Sequence, residues 1–128
     1  MPIFRILDDF TAGNTYALIR ALNPASNGID TPSDAWFTTK TNLTDNDAMA
    51  QFKIHITVSG TANGQIVVNP DNSATLTFIV NVVDSYNMLQ LSTFFYDVKI
   101  KMVPTGYVYT LESGKLFTNE GVTTLPSS

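Results

Sequence analysis

The chain has 128 residues and a formal net charge of −4, and only 14% of its residues are charged. This length suits one domain with a self-sufficient core. The seven basic residues are scattered along the sequence, so the clustered phosphate neutralisation that nucleic-acid binding needs is not expected. The absence of cysteine excludes disulfide scaffolds, zinc fingers and cysteine nucleophiles.

The N-terminal residues, from Met1 to Asp9, contain neither a long apolar stretch nor a small-residue cleavage pattern, so we expect no signal peptide. No apolar run approaches the roughly 20 residues needed to cross a bilayer. We therefore expect synthesis in the cytoplasm of whatever cell expresses the protein, and no membrane partner.

Apolar and polar residues alternate with a period of two along most of the chain, a pattern typical of half-buried strands in antiparallel sheets. Thr, Val, Ile, Phe and Tyr are frequent in these segments, as a pleated surface prefers. The predicted strands are Phe4–Leu7, Thr15–Leu22, Ala35–Lys40, Gln51–Val58, Gln65–Asn69, Ala74–Val82, Thr93–Val103, Tyr107–Glu112 and Lys115–Thr118.

Turn residues separate these segments, and Ser113-Gly114 is predicted as the last of the turns. Turns that recur every 8–12 residues or so between short strands indicate a β-sandwich or barrel. One short helical crossing is predicted from Asp84 to Leu89, because Asp84 can cap the first amides. We expect a single domain over residues 1–120 and a loose C-terminal tail over residues 121–128.

Residues suited to catalysis or metal binding are few. His55 is the single histidine, and it is predicted on the polar face of a strand, where one imidazole shows no site geometry. The carboxylate pairs Asp8-Asp9, Asp30 with Asp34, and Asp45 with Asp47 could bind calcium or act as an acid/base pair. Turn chemistry explains them more simply. We therefore expect no catalytic residue, no metal site and no cofactor.

Four residues are candidates for an interface. Alternation places Ile79 and Phe95 on outward faces, where apolar residues can mark a contact with another protein. Tyr107 and Tyr109 belong to an aromatic-rich stretch that either packs in the core or forms an exposed platform. These four residues are the predicted site.

Several segments, in order, resemble the immunoglobulin-like amino-terminal domain of tailed-phage baseplate upper proteins. The segments are Gly13 to Tyr16, Ala35 to Lys40, Asp84 to Leu89, Tyr96 to Ile100 and Thr105 to Leu116. The resemblance covers roughly residues 10 to 120. It implies an immunoglobulin-like antiparallel β-sandwich of about seven to nine strands.

The same resemblance implies a non-enzymatic structural protein of a bacteriophage virion, in the tail, baseplate, neck or head. It would act by docking onto other virion proteins and would form a symmetric homo-oligomer in the particle. Two other functions stay open. One is a carbohydrate-binding module that uses Phe95, Tyr107 and Tyr109 as exposed aromatics, and the other is a small hydrolase that uses the Asp clusters.

Overall fold

The computed structural model describes residues 3–11, 14–41, 52–81 and 93–119, and every regular element in these ranges is a β-strand. The burial of side chains alternates along most strands, as the sequence pattern predicts. The strands in chain order are β1 (Ile3–Thr11), β2 (Tyr16–Leu22), β3 (Thr31–Lys40), β4 (Phe52–Thr57), β5 (Gly64–Val68), β6 (Ala74–Val80), β7 (Thr93–Val103) and β8 (Val108–Asn119).

The strands form two sheets in a sandwich-like arrangement. One sheet has five strands in the order β1-β8-β7-β3-β4, and the other has three in the order β2-β6-β5. The prediction of an all-β, two-layer domain is confirmed. The expectation that all pairs are antiparallel is wrong for β1 and β8, which pair in parallel. These are the first and last described strands, and no hairpin turn joins them to impose the opposite direction.

The last two predicted strands are one continuous strand, β8, so the predicted turn at Ser113-Gly114 is wrong. A Cβ atom on Gly114 would lie 1.7 Å from the carbonyl oxygen of Arg5, the residue paired with it on β1. Glycine is therefore needed here because the backbone of β1 approaches closely, not because the chain turns.

The core lies between the two sheets and is built from the inward residues of both. Phe37 of β3 is at its centre, and its ring packs edge-on against the rings of Phe52, Phe78 and Tyr96 at centroid distances of 5.1, 5.7 and 5.8 Å. Edge-to-face contacts of this kind add to the stabilisation that burial of the rings provides. The two sheets are thus fixed face to face, with their outer surfaces available to solvent.

Three predictions lie outside the described residues: the helical crossing at Asp84–Leu89, the tail over residues 121–128, and the carboxylates Asp45 and Asp47. Within the described ranges, no helix is long and apolar enough to cross a membrane.

Candidate functional site

All five lysines of the chain lie on one surface, the outer face of the five-stranded sheet. Inward residues of β7 such as Val98 and Ile100 are buried, so the alternate positions on this strand and its neighbours point outward. We call this surface the lysine face. Its lysines are Lys40 of β3, Lys53 of β4, Lys99 and Lys101 of β7, and Lys115 of β8.

The register places an aromatic pair among these lysines. Trp36 of β3 is directly opposite Lys99 on one side and His55 on the other. The rings of Trp36 and His55 stack with centroids 5.2 Å apart and an angle of 7° between their planes. A shallow depression of about 220 Å³ lies beside Trp36, between Lys53 and Lys99. The face therefore has an aromatic centre with cationic side chains around it.

The charge of the lysine face is opposite to that of the whole chain. On these four strands, Asp34 and Asp97 are the carboxylates at outward positions. On these four strands the five lysines and two carboxylates leave three net positive charges at outward positions, in a chain whose formal net charge is −4. The lysines that are scattered in the sequence thus converge in the fold, contrary to our expectation of dispersed basic residues.

His55 is on the polar face of its strand, as predicted, and its side chain is 46% exposed. Its Nε2 lies 2.7 Å from Oδ2 of Asp34, and the Ser33 hydroxyl donates to Oδ1 of the same carboxylate at 2.7 Å. The hydrogen bond from Ser33, and then the contact with His55, lower the pKa of Asp34. A serine nucleophile would instead donate to the histidine. The carboxylate lies between the two groups, so they do not form a catalytic triad.

An open cleft of about 920 Å³ lies beside the segment that follows β2 (residues 23–27) and the start of β8. Tyr107 and Tyr109 line it, and their rings are nearly parallel, 26° apart, with centroids separated by 5.9 Å. Burial raises the pKa of Tyr109, in agreement with its half-buried position. Asp30 and Thr105 also line the cleft, and the Thr105 hydroxyl donates to Oδ2 of Asp30.

The four predicted interface residues do not form one surface. Tyr107 and Tyr109 meet in the cleft. Phe95 lies on the lysine face, between Lys40 and Lys115 in the register. Ile79 is on the outer face of the three-stranded sheet, on the other side of the sandwich. At least three separate surfaces therefore compete as candidates.

A buried carboxylate that the sequence did not single out connects the two sheets. Glu112 of β8 accepts hydrogen bonds from Nε and Nη2 of Arg20 on β2, at 2.7 and 3.1 Å. The Tyr96 hydroxyl donates to Oε2 of Glu112 at 2.5 Å. Burial, and then this hydrogen bond, raise the pKa of Tyr96, while the contact with Glu112 raises that of Arg20. Both carboxylate oxygens are satisfied inside the core, which is the property of a structural link.

Where the structure describes the predicted carboxylate pairs, their members have separate hydrogen-bond partners, most of them distant in the chain. Asp9 accepts from the Tyr16 hydroxyl at 2.9 Å, while Asp30 and Asp34 have separate partners, Thr105 and His55. Within the described ranges, no group of three or more His, Asp or Glu side chains could hold a metal ion.

The sequence matches no protein-family model and no curated protein.

Proposed function

We propose that the protein is a non-enzymatic structural subunit of a bacteriophage particle that docks onto an acidic surface of another virion protein through the lysine face. It would be present in several symmetry-related copies, in the tail, baseplate, neck or head. Neither nucleic acid nor membrane is a partner in this proposal.

The observation that carries the proposal is the gathering of every lysine on one sheet face around Trp36. Trp36 is partly exposed on this face, and an aromatic anchor inside a polar rim is common in protein interfaces. The lysines would steer and orient an acidic partner, because complementary charge accelerates association and rejects wrong partners.

The composition of the face favours a protein over a nucleic acid. Asp34 and Asp97 lie among the lysines and would repel phosphates. The apolar side chains of Phe4 and Ile6 on β1 are 65% and 55% exposed and extend the same sheet beyond β8. An exposed apolar margin next to a charged surface is more useful for contact with a folded protein than with a phosphate backbone.

The strand order supports an immunoglobulin-like assignment of the sandwich. The order β8-β7-β3-β4 corresponds to strands G, F, C and C′ of the variable type, and β2-β6-β5 corresponds to B, E and D. Phe37 takes the central aromatic position on β3 without a disulfide beside it. This topology agrees with the phage-protein resemblance of the sequence.

The proposal is tested by assembly in infected cells. The double variant Lys99→Glu/Lys101→Glu reverses two neighbouring charges of the lysine face and is expected to be lost from purified particles. The matched variant Ala17→Glu places a carboxylate at an exposed position on the other sheet, next to Ile79. It is expected to assemble normally, with mass spectrometry of purified virions as the readout.

Two results would overturn the proposal. The first is the absence of the wild-type protein from purified particles. The second is normal incorporation of the lysine variant. If the Ala17→Glu variant is lost from particles while the lysine variant is incorporated, the interface lies on the face that carries Ile79. Circular dichroism of both purified variants must show the same β-rich spectrum as the wild type.

Carbohydrate binding is the second candidate function, and the paired rings of Tyr107 and Tyr109 beside an open cleft favour it. Phe95 cannot take part in the same platform, because it lies on the lysine face. A glycan array in which binding disappears in the Tyr107→Ala variant would support this function. Binding to no glycan would exclude it.

A further inference from the structure

The cleft contains a carboxylate whose hydrogen bonding is incomplete. Asp30 is only 5% exposed, and its Oδ2 accepts from the Thr105 hydroxyl. Its Oδ1 is fully buried and has no hydrogen-bond partner among the described residues. A buried carboxylate normally fills its acceptor positions, because an unmatched oxygen has lost its water without compensation. Asp30 lines the cleft, so a donor that enters the cleft and displaces the atoms covering Oδ1 would fill this acceptor position.

The charge around Asp30 is not balanced by the residues that line the cleft. Among the described residues there, Asp30 is the only charged one, and neither lysine nor arginine is present. The rest of the lining is uncharged and includes the two tyrosines, the segment from Asn23 to Asn27, and apolar side chains such as Met102 and Leu111. The cleft therefore combines one buried negative charge with two aromatic rings.

We propose that this cleft binds a lysine or arginine side chain that is presented by a partner polypeptide. The cationic group would donate to Oδ1 of Asp30 and neutralise the buried charge. The aliphatic part of the side chain would lie against Tyr107 and Tyr109, whose ring faces also attract a cation.

A cation fits this site better than a neutral sugar does. A sugar hydroxyl could donate to Asp30 and a sugar ring could pack on Tyr107, but the buried charge would stay uncompensated. The cleft shares no residue with the lysines, Trp36 or His55 of the lysine face. Binding of a basic segment here is therefore independent of docking by the lysine face, and either can fail without the other.

The test uses the full chain, three small peptides and one sugar, with binding followed by NMR chemical-shift changes of the ¹⁵N-labelled protein. The probes are acetyl-Gly-Lys-Gly-amide, acetyl-Gly-Arg-Gly-amide and the neutral acetyl-Gly-Gln-Gly-amide, with methyl glucoside as the sugar. Titration to about 20 mM would saturate a site whose Kd is near 1 mM. The cationic peptides are expected to bind and to shift the amides of Asp30, Thr105 and Tyr107.

Variants separate the contributions of the charge and the rings. Asp30→Asn removes the charge with little change in shape and should weaken binding of the cationic peptides by about tenfold or more. Tyr107→Ala removes an exposed ring and should weaken binding by about threefold. Val108→Ala changes the next residue, also exposed, and should leave binding unchanged.

The proposal fails if the Gln peptide binds as well as the Lys and Arg peptides, or if no probe shifts the cleft amides. It also fails if methyl glucoside binds more tightly than the cationic peptides. If Asp30→Asn does not fold, Tyr107→Ala alone decides, because unchanged affinity of the cationic peptides in that variant overturns the proposed site.

Discussion

Two buried carboxylates of this sandwich have opposite surroundings. Glu112 lies between the sheets, with both oxygens bonded to Arg20 and Tyr96. Asp30 lies at the cleft, with one oxygen bonded to Thr105 and the other without a partner among the described residues. The first side chain uses its charge to join two sheets. The second retains an unused acceptor, and this difference separates a structural group from a binding group.

The largest expected loss of stability follows from removal of Arg20, the charged partner of Glu112. The Arg20→Met variant leaves the charge of Glu112 buried with only Tyr96 and the more exposed Arg5, whose Nε is 3.7 Å away. We expect the free energy of unfolding to fall by about 3–5 kcal/mol. Replacing both partners, in Arg20→Met/Glu112→Leu, should recover most of this loss, and urea denaturation measures both. A double variant as unstable as the single one would contradict the assignment of Glu112 as a paired structural charge.

The second prediction compares neutralisation of the two carboxylates. Glu112→Gln removes the charge from three strong hydrogen bonds and should lower the free energy of unfolding by about 1.5–3 kcal/mol. Asp30→Asn also removes a charged hydrogen bond, but it removes as well a buried charge whose hydrogen bonding is incomplete. Its free energy of unfolding should therefore fall by less than about 1 kcal/mol. Thermal and urea unfolding of the two variants measure this difference. Equal costs would show that the two carboxylates are not distinguished by their hydrogen bonding.

Tyr96 provides a smaller effect with a defined pH dependence. Tyr96→Phe should cost about 1–2 kcal/mol at neutral pH, because it removes one hydrogen bond to a carboxylate. The pKa of Tyr96 is raised above its ordinary value of 10.0 by burial and by Glu112, so the folded state favours the protonated phenol. This stabilisation is complete below pH 10 and is lost as the pH rises above it. Above pH 10, the free energy of unfolding should therefore fall less steeply with rising pH in Tyr96→Phe than in the wild type. Equal slopes would contradict the contact between Tyr96 and Glu112.

The smallest effect concerns Asp34 on the lysine face. Its pKa is lowered from 3.8 by Ser33 and His55, so the folded state favours the charged carboxylate. The resulting stabilisation is present above pH 3.8 and disappears as the pH falls towards the lower folded-state value. Because the side chain is partly exposed, Asp34→Asn should reduce the acid-dependent loss of stability by less than about 1 kcal/mol. Acid titration followed by circular dichroism measures this difference, and equal acid-dependent losses in the variant and the wild type would contradict the contacts of Asp34.

The sequence was sufficient to predict local features of the fold. Alternation located β4, β6 and β7 nearly to the residue, because a strand with one buried face imposes a period of two on its own sequence. The same rule identified Lys53, Lys99 and Lys101 as outward residues. It did not show that they share one face, because strand order depends on pairing between distant segments.

The two carboxylate sites were beyond prediction for the same reason. Arg20 and Glu112 are 92 residues apart in the chain, and Asp30 and Thr105 are 75 residues apart. No local pattern connects these pairs. Gly114 was interpreted as a turn residue, although its role depends on the backbone of β1, which approaches from the other end of the chain. Tyr107 and Tyr109 were predicted as candidates, but the contact of their rings was not, because Tyr107 lies just before β8 and outside its alternation.

Docking through the lysine face is tested most directly by amine-reactive footprinting of the lysines in the free protein and in purified particles. We expect Lys53, Lys99 and Lys101, which surround Trp36 in the register, to react much more slowly in the particle than in the free protein. Equal reactivity of all five lysines in both states would contradict the account, because a docked face cannot keep every lysine open to reagent.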